Sequence, residues 1–198
     1  RPEAAATYGL TGSGWEQQDV QSRYLNGSTP CSGSGKVCRT ISPDSAVTSY
    51  VYDALDRVDE VTDGEGRVTK TIYDELGRVT HLIKAYDSAD EITYQTYTYT
   101  VNGQVETVMD ANGNLTQYEY DGFDRLYRTY FPSKTVAGSY STTDYEEYHY
   151  DSNGNMVAKR TRRGDWIASE YDGLNRLIEK VTYKGGGWSS GGGATGTA

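Results

Sequence analysis

The sequence predicts an all-β protein built from tandem antiparallel β-hairpins, and three observations support this prediction. The chain of 198 residues is rich in side chains that favour strands, with 19 Tyr and 3 Trp. A seven-residue pattern that begins with Tyr-Asp recurs along it. Successive copies are often 10 or 11 residues apart, which is the length of one short strand and one tight turn. Together these features predict a long meander of hairpins that forms a twisted, spiralling sheet.

The net charge limits the partners of such a sheet. The chain carries 28 Asp and Glu against 19 Lys and Arg, a formal charge of −9 at pH 7. Because phosphate groups and anionic membrane surfaces repel this charge, we expect no nucleic-acid binding. We also expect no membrane insertion, since the sequence contains no apolar run long enough to span a bilayer.

Residues 1–49 lack the repeat, and we expect them to form an irregular N-terminal segment. Cys31 and Cys38 lie close together there, so a local disulfide is the favoured interpretation. A disulfide would imply an oxidising compartment. Two free thiols are an alternative, as is half of a metal site completed by His81 and His149, although the spacing fits no standard zinc pattern.

Residues 50–183 contain the repeat and are predicted to form the sheet. The residues that define its clearest copies are Tyr52, Asp53 and Arg57; Tyr73, Asp74, Gly77 and Arg78; Tyr120, Asp121 and Arg125; Tyr150, Asp151 and Gly154; and Tyr171, Asp172 and Arg176. Degenerate copies start at Asp63, Asp87, Thr100, Asp110 and Thr161. The regular spacing of these copies is what the prediction of a meander depends on.

Each position of the repeat has a physical role. The Asp or Thr at the start is typical of the first residue of a β-turn, where its side chain can cap the turn. Three residues later every copy has Gly, Asp or Asn, the residues that best tolerate a positive φ. Two residues further on every copy has an apolar residue, which we expect to begin the next strand. Tyrosines two residues apart before several turns predict a cross-strand tyrosine ladder.

The pattern Tyr-Asp-x-x-Gly-Arg-Val/Leu resembles the YD repeat of the RHS family, over about residues 50–182. The resemblance implies a spiralling antiparallel sheet of the kind found in Tc-toxin cocoons and teneurins, where it closes into a hollow shell. In bacterial members this shell often encloses a C-terminal toxin. The repeat therefore implies a container and not its cargo.

Two stretches outside the repeat pattern are predicted to be irregular. Residues 184–198 are rich in Gly and Ser and are typical of a flexible connector. Between Phe131 and Tyr148 the spacing breaks at Pro132 and Gly138, which indicates a longer loop between strands.

The sequence does not suggest catalytic or metal chemistry. The segments that begin at Asp110 and Asp151 superficially resemble calcium loops, but their glycine is misplaced and turn chemistry accounts for them better. A glycosidase-like pair of carboxylates is a further alternative, but turn positions account for most of the Asp residues. We therefore predict no enzyme, no cofactor and no metal. A tyrosine-rich surface that stacks on sugar rings is the main competing function.

The favoured role on this basis is a non-catalytic structural segment of an RHS/YD-repeat shell or secreted surface assembly, which encloses a toxin cargo in the parent protein. A self-assembling extracellular filament subunit and an adhesive or glycan-binding module are the alternatives. Because exposed sheet edges invite strand addition, we expect the partners to be the rest of a longer RHS polypeptide or further copies of the chain. The expected location is extracellular or at the cell surface.

Overall fold

A computed structural model describes residues 6–11, 14–19, 21–23, 37–42, 44–189 and 193–197. These residues form β-strands joined by turns and loops, without a helix in the described ranges. The chain divides into two compact units, Arg1–Gln95 and Thr96–Ala198. The predicted all-β fold class of tandem antiparallel hairpins is confirmed.

The first unit is a meander that follows the order of the chain. Its strands are β1 (Ala6–Thr11), β2 (Gly14–Asp19), β3 (Gln21–Arg23), β4 (Arg39–Ile41), β5 (Val47–Tyr52), β6 (Val58–Thr62), β7 (Val68–Tyr73) and β8 (Val79–Lys84). Strands β1 and β2 pair with each other, and β3 to β8 pair antiparallel, each with the next. Strand β9 (Ile92–Tyr99) contains the point at which the two units divide.

The second unit continues the same pattern. Its remaining strands are β10 (Val105–Asp110), β11 (Leu115–Tyr120), β12 (Leu126–Pro132), β13 (Tyr140–Tyr150), β14 (Met156–Arg160), β15 (Trp166–Tyr171), β16 (Leu177–Ser189) and β17 (Gly193–Thr197). Each of the strands β10 to β16 pairs antiparallel with the next.

The meander places alternate turns at opposite ends of the strands, so each unit has two rims. We call the rim whose turns follow a tyrosine the Tyr-Asp rim. In the first unit it carries the turns that start at Asp53 and Asp74, and in the second those that start at Thr100, Asp121, Asp151 and Asp172. The opposite rim carries the turn at Asp63 in the first unit, and those at Asp110 and Thr161 in the second.

Strands also occur in both flanks, which differs from the irregular segments expected there. Strands β1 to β4 lie within the first 49 residues, where no repeat signals them. Strand β16 extends to Ser189 because Trp188 stacks on Trp166 of β15, with ring centroids 6.4 Å apart. Gly185 and Gly186, with φ of 63° and 83°, bend the strand just before this contact. The division of the chain at residues 49 and 183 remains a proposal.

Few of the described side chains are deeply buried, as expected for a sheet with a thin core. In the first unit Ile83 and Cys38 are the most protected, and in the second Tyr130, Ala158 and Trp166. Cys31 lies outside the described residues, so the disulfide between Cys31 and Cys38 remains a prediction.

Two loops interrupt the regular turns and correct the sequence interpretation. The copy expected at Asp87 is wrong: Ala85 and Asp87 take positive φ there instead of Asp90, and Ser88 Oγ donates to the Ala85 carbonyl at 2.6 Å. The loop expected between Phe131 and Tyr148 is shorter than predicted and spans residues 133–139, because β13 already begins at Tyr140.

Candidate functional site

Nine turns of the described chain share one backbone framework. In each, the N–H of the first residue donates to the carbonyl of the fifth at 2.8–3.1 Å, and the N–H of the fourth donates to the carbonyl of the first at 2.9–3.2 Å. The fourth residue is left-handed, with φ between 59° and 89°. These fourth residues are Asp56, Gly66, Gly77, Gly103, Gly113, Asp124, Gly154, Gly164 and Asn175. The predicted positive φ is therefore confirmed in nine of the ten predicted copies, with Asp90 the exception.

The aspartate that starts a turn holds both ends of it. Asp121 Oδ1 accepts the backbone N–H groups of Phe123 at 2.9 Å and Arg125 at 3.0 Å, while its Oδ2 accepts Arg125 Nε at 2.7 Å. The same three bonds recur in the turns of Asp53, Asp63, Asp74 and Asp172. In the turns of Asp110 and Asp151 an asparagine replaces the arginine and donates its side-chain amide. The repeat-defining Asp and Arg residues thus close their own turns.

These hydrogen bonds stabilise the charged form of the aspartates. The backbone N–H of Arg78 is the main cause that lowers the pKa of Asp74, and the Arg78 guanidinium adds to it. For Asp121 burial opposes the change, but the hydrogen bonds from Arg125 and Phe123 outweigh it and lower the pKa. The turn carboxylates therefore remain ionised in the folded protein at neutral pH.

Five tyrosines that precede turns of the Tyr-Asp rim each donate to a backbone carbonyl at or just before the start of the preceding strand. Tyr73, at the end of β7, donates its hydroxyl to the carbonyl of Val58, at the start of β6, at 2.8 Å. Tyr52, Tyr120, Tyr150 and Tyr171 make equivalent bonds to Val37, Val105, Leu126 and Met156 at 2.7–3.2 Å. Each phenol thereby satisfies a backbone carbonyl at or just before the first residue of the neighbouring strand.

Arginines connect one turn of this rim to the next within each unit. In the first unit the Arg57 guanidinium lies 4.3 Å from the centre of the Tyr73 ring, and its Nη1 donates to the Asp74 carbonyl at 3.4 Å. In the second unit Arg125 lies 4.6 Å from the centre of the Tyr150 ring and donates to the Asp151 carbonyl at 3.1 Å. Each arginine therefore closes its own turn and contacts its neighbour.

Five hairpins of the Tyr-Asp rim are bulged. The strand register shifts next to Tyr52, Tyr73, Tyr120, Tyr150 and Tyr171. The described hairpins at Asp63, Asp110 and Thr161 on the opposite rim keep a continuous register. Bulges increase the local twist, so the two rims differ in geometry as well as in sequence.

A buried charged cluster in the second unit was not recognised in the sequence. Glu147 accepts Arg128 Nε and His149 Nε2, both at 2.7 Å, and its side chain is only 9% exposed. Burial by itself would lower the pKa of Arg128, but its hydrogen bonds to Tyr130 and Glu147 raise that pKa. The His149 ring also lies 5.7 Å from that of Trp166. Alternation along β13 suggests that Glu147 and His149 share a face, but only the register against β12 reveals Arg128 as their partner.

The candidate metal ligands have structural contacts. The carboxylate oxygens of Asp110 and Asp151 accept hydrogen bonds from N–H groups of their own turns, as turn chemistry predicts. His81 Nδ1 lies 3.1 Å from the Thr80 hydroxyl, and His149 bonds to Glu147. Over the described part of the chain, no group of three or more His, Cys, Asp or Glu side chains is placed to hold a metal ion. None of the described segments is a helix suited to crossing a membrane.

The described surface has shallow grooves. One, of about 450 Å³, lies in the second unit and is lined by Tyr118, Tyr120 and Tyr127 together with amide and carboxylate side chains. Another, of about 500 Å³, lies on the Tyr-Asp rim between the turns of Asp121 and Asp151.

Comparison with known proteins agrees with this architecture. The family model described as RHS Repeat matches residues 99–130. No curated protein matches the sequence. Among solved structures, the chain is similar to TcdB2–TccC3 with a TM-score of 0.59 and 19% identity, and 86% of this chain aligns.

Two further structures show the same fold. TcdB2–TccC3–Cdc42 aligns over 90% of this chain with a TM-score of 0.57 and 20% identity. The Tc holotoxin pore of Photorhabdus luminescens aligns over 90% with a TM-score of 0.59 and 21% identity. The chain spans only 9% of the length of the chains that it matches. Residues 99–130 thus match the model of the RHS repeat, and the chain has the fold of the Tc-toxin structures with which it aligns.

Proposed function

We propose that the chain is a non-catalytic structural segment of an RHS/YD-repeat shell. The observation that carries this proposal is the Tyr-Asp rim, where the aspartates accept backbone N–H groups of their turns, the arginines pair with those aspartates, and tyrosines donate to strand carbonyls. These side chains stabilise the turns and strands of the sheet, so the recurrence of the motif is explained without a bound substrate. The likeness to the Tc-toxin structures supports the same role.

In this proposal the sheet belongs to a longer, extracellular polypeptide that encloses a toxin cargo. The support is that the solved chains of this fold are about ten times longer than the present one, which covers 9% of them. The Cys31–Cys38 disulfide belongs to the same proposal, because it would form in an oxidising compartment.

The decisive experiment is to purify the natural polypeptide and measure its intact mass without reductant, followed by electron microscopy and limited proteolysis. We expect a polypeptide much heavier than the 21.9 kDa of this sequence. We also expect a hollow particle, with an inner domain that resists protease until the particle is opened. A monomer of 21.9 kDa, or a particle without a lumen, would overturn the proposal. Long assemblies of a 21.9 kDa chain would instead support the filament alternative.

The groove that contains Tyr118, Tyr120 and Tyr127 favours glycan binding as a second candidate function. Phenol rings beside the amide groups of Asn102 and Gln117 are suited to stacking on a sugar and bonding to its hydroxyls. A glycan array would test it, with Tyr127→Ala expected to abolish any signal and Tyr94→Ala, at an exposed position on β9, expected to preserve it. An array without signal, or one unaffected by Tyr127→Ala, would rule out this groove.

A further inference from the structure

A groove on the opposite rim of the second unit concentrates positive charge in an acidic chain. It has a volume of about 540 Å³ and lies where the loop of residues 133–139 meets the start of β13 and the turn that begins at Thr161. Its charged lining consists of one carboxylate, Asp144, and three cations, Lys134, Arg162 and Arg163. The groove therefore reverses locally the sign of a chain whose formal charge is −9.

Arg162 neutralises the carboxylate of the groove. Its Nε donates to Asp144 Oδ1 at 2.8 Å, and its guanidinium lies 3.8 Å from the centre of the Phe131 ring. The hydrogen bond from Arg162 is the main cause that lowers the pKa of Asp144, and the charge of Lys134 adds to it. Asp144 is therefore ionised and paired at neutral pH.

The other two cations are not paired. Lys134 and Arg163 are exposed, and within the ranges that the structure describes neither makes a hydrogen bond or an ion pair. Because Arg162 compensates Asp144, the positive charges of Lys134 and Arg163 remain uncompensated at the groove.

Four hydroxyl groups line the same groove, in two copies of one local motif. The motif is Ser-x-Thr, at Ser133–Thr135 and at Ser141–Thr143. In each copy the serine Oγ accepts the backbone N–H groups of the residues two and three further on, at 3.0–3.3 Å. The serine and threonine hydroxyl oxygens of each copy are 3.3 Å apart. Since the serine oxygens already accept two hydrogen bonds, their hydroxyl hydrogens are suited to donating.

The loop that carries Lys134 is held at both ends. The N–H of Ser133 donates to the carbonyl of Ser139 at 2.8 Å, which closes the loop. The N–H of Gly138 donates to the carbonyl of Gly113 at 3.1 Å, which fixes the loop to the neighbouring turn of the same rim. The backbone of the groove is thus arranged before any ligand binds, which reduces the entropic cost of binding.

We propose that this groove binds the phosphate monoester group of a small molecule. Such a group carries a charge of about −1.5 to −2 at neutral pH and three acceptor oxygens. The two uncompensated cations match this charge, and the hydroxyl groups supply further donors. A carboxylate ligand, with one charge and two oxygens in a plane, would use the groove less completely.

The acidic character of the whole chain does not prevent this binding. At physiological ionic strength the screening length is about 8 Å, so carboxylates elsewhere on the sheet act weakly on a ligand held beside Lys134 and Arg163. A long polyanion would extend beyond the groove and meet those carboxylates, which is why nucleic acid remains an unsuitable ligand. The site is expected whether or not the sheet is part of a shell.

Titration of the isotope-labelled chain with methyl phosphate, followed by nuclear magnetic resonance, tests the proposal. Sodium chloride keeps the ionic strength constant throughout. We expect saturable shifts of the backbone amide signals of Lys134, Thr135 and Arg163. Methyl sulfate, which carries a single charge, should bind more weakly, and methanol should cause no such shifts.

Two kinds of variant identify the groups that bind. Lys134→Gln and Arg163→Gln should each raise the dissociation constant about fivefold or more, because each removes a charged donor from the groove. Asp144→Asn should lower it, since the repelling charge is lost while the amide oxygen still accepts Arg162. A variant that merely disturbed the loop would not tighten binding.

Lys180→Gln is the matched control, because it changes the net charge equally at an exposed position on β16, outside the groove. It should leave the dissociation constant unchanged. The proposal would be overturned by the absence of saturable shifts, by equal affinity for methyl sulfate, or by equal effects of Lys180→Gln and Lys134→Gln. Circular dichroism checks the fold of each variant, and if one glutamine variant fails to fold, the other still decides.

Discussion

At the residue scale, the aspartate that opens each turn is the group on which the turn depends. It accepts two backbone N–H groups and one guanidinium, while the residues that follow it mostly face solvent. The side chain of Asp121 is only 23% exposed, so water replaces these bonds incompletely. Removing this carboxylate should therefore lower the free energy of unfolding by a measurable amount.

We expect Asp121→Ala to lower the free energy of unfolding by about 1–2 kcal/mol, since two backbone donors and Arg125 lose their acceptor. Asp121→Asn should cost less, because the amide oxygen still accepts both N–H groups. Urea unfolding measures both values. Glu75→Ala, at an exposed position of the Asp74 turn, is the control and should have almost no effect. If Asp121→Ala behaved like Glu75→Ala, the capping role would be wrong.

A second prediction concerns the tyrosine hydroxyl. Tyr73→Phe keeps the ring under Arg57 but removes the bond to the Val58 carbonyl, and should lower the free energy of unfolding by about 1 kcal/mol. Tyr94→Phe, on a side chain that is 48% exposed, should change it little. Equal stability of the two variants in thermal melts would contradict the proposed bond.

Single residues could be predicted from the sequence only where chemistry is local. The capping of Asp53 and the positive φ of Gly77 follow from neighbours within the same turn. The bond from Tyr73 to Val58 spans 15 residues and depends on the register of β6 and β7, which a single sequence does not specify. The cluster of Arg128, Glu147 and His149 was missed for the same reason.

At the scale of elements, the position with left-handed backbone limits which residue types a turn tolerates. Gly77 has φ of 82°, whereas Gly122 has an ordinary φ and open space where a Cβ would lie. Gly77→Ala should therefore lower the free energy of unfolding by about 1 kcal/mol, and Gly122→Ala should be neutral or slightly stabilising.

Gly77→Asn provides a further comparison, since Asn175 already takes a φ of 60° at this position. It should be less destabilising than Gly77→Ala. Urea unfolding of the three variants tests the order. Similar losses for Gly77→Ala and Gly122→Ala would show that backbone strain does not control the turn.

Hairpins were easier to predict than their irregularities. The turn pattern predicted the strands between Val47 and Lys84 because each turn begins and ends within seven residues. The loop at residues 85–91 mimics the repeat in composition, yet its bonds involve Ser88 and Glu91 side chains and produce another conformation. Strand β16 continues through a glycine-rich stretch because the contact of Trp188 with Trp166 outweighs the weak strand preference of glycine.

For the whole molecule, the turn aspartates predict how stability depends on pH. Hydrogen bonds lower the pKa of Asp53, Asp63, Asp74, Asp110, Asp121, Asp151 and Asp172 in the folded protein. Unfolded aspartate titrates at about pH 3.9, so around and below that pH the unfolded chain binds more protons than the folded one. The stabilisation is complete above this range and is lost as the pH falls through the folded pKa values.

We therefore expect the free energy of unfolding to decrease steeply once the pH drops below about 4. Urea unfolding at a series of pH values measures the slope. Asp74→Asn removes one of the titrating groups and should make the slope shallower. A stability that stays constant from neutral pH to about pH 3, or a slope that Asp74→Asn leaves unchanged, would contradict this origin of acid sensitivity.

The alternation of the two rims also limits how the chain can change in length. Successive Tyr-Asp turns start 21 residues apart at Asp53 and Asp74, at Thr100 and Asp121, and at Asp151 and Asp172. Deleting or duplicating a single strand would move every later Tyr-Asp turn to the other rim. Gain or loss by recombination should therefore proceed in two-strand cassettes of 21 residues, with variable length confined to the loops of the opposite rim, such as residues 85–91 and 133–139.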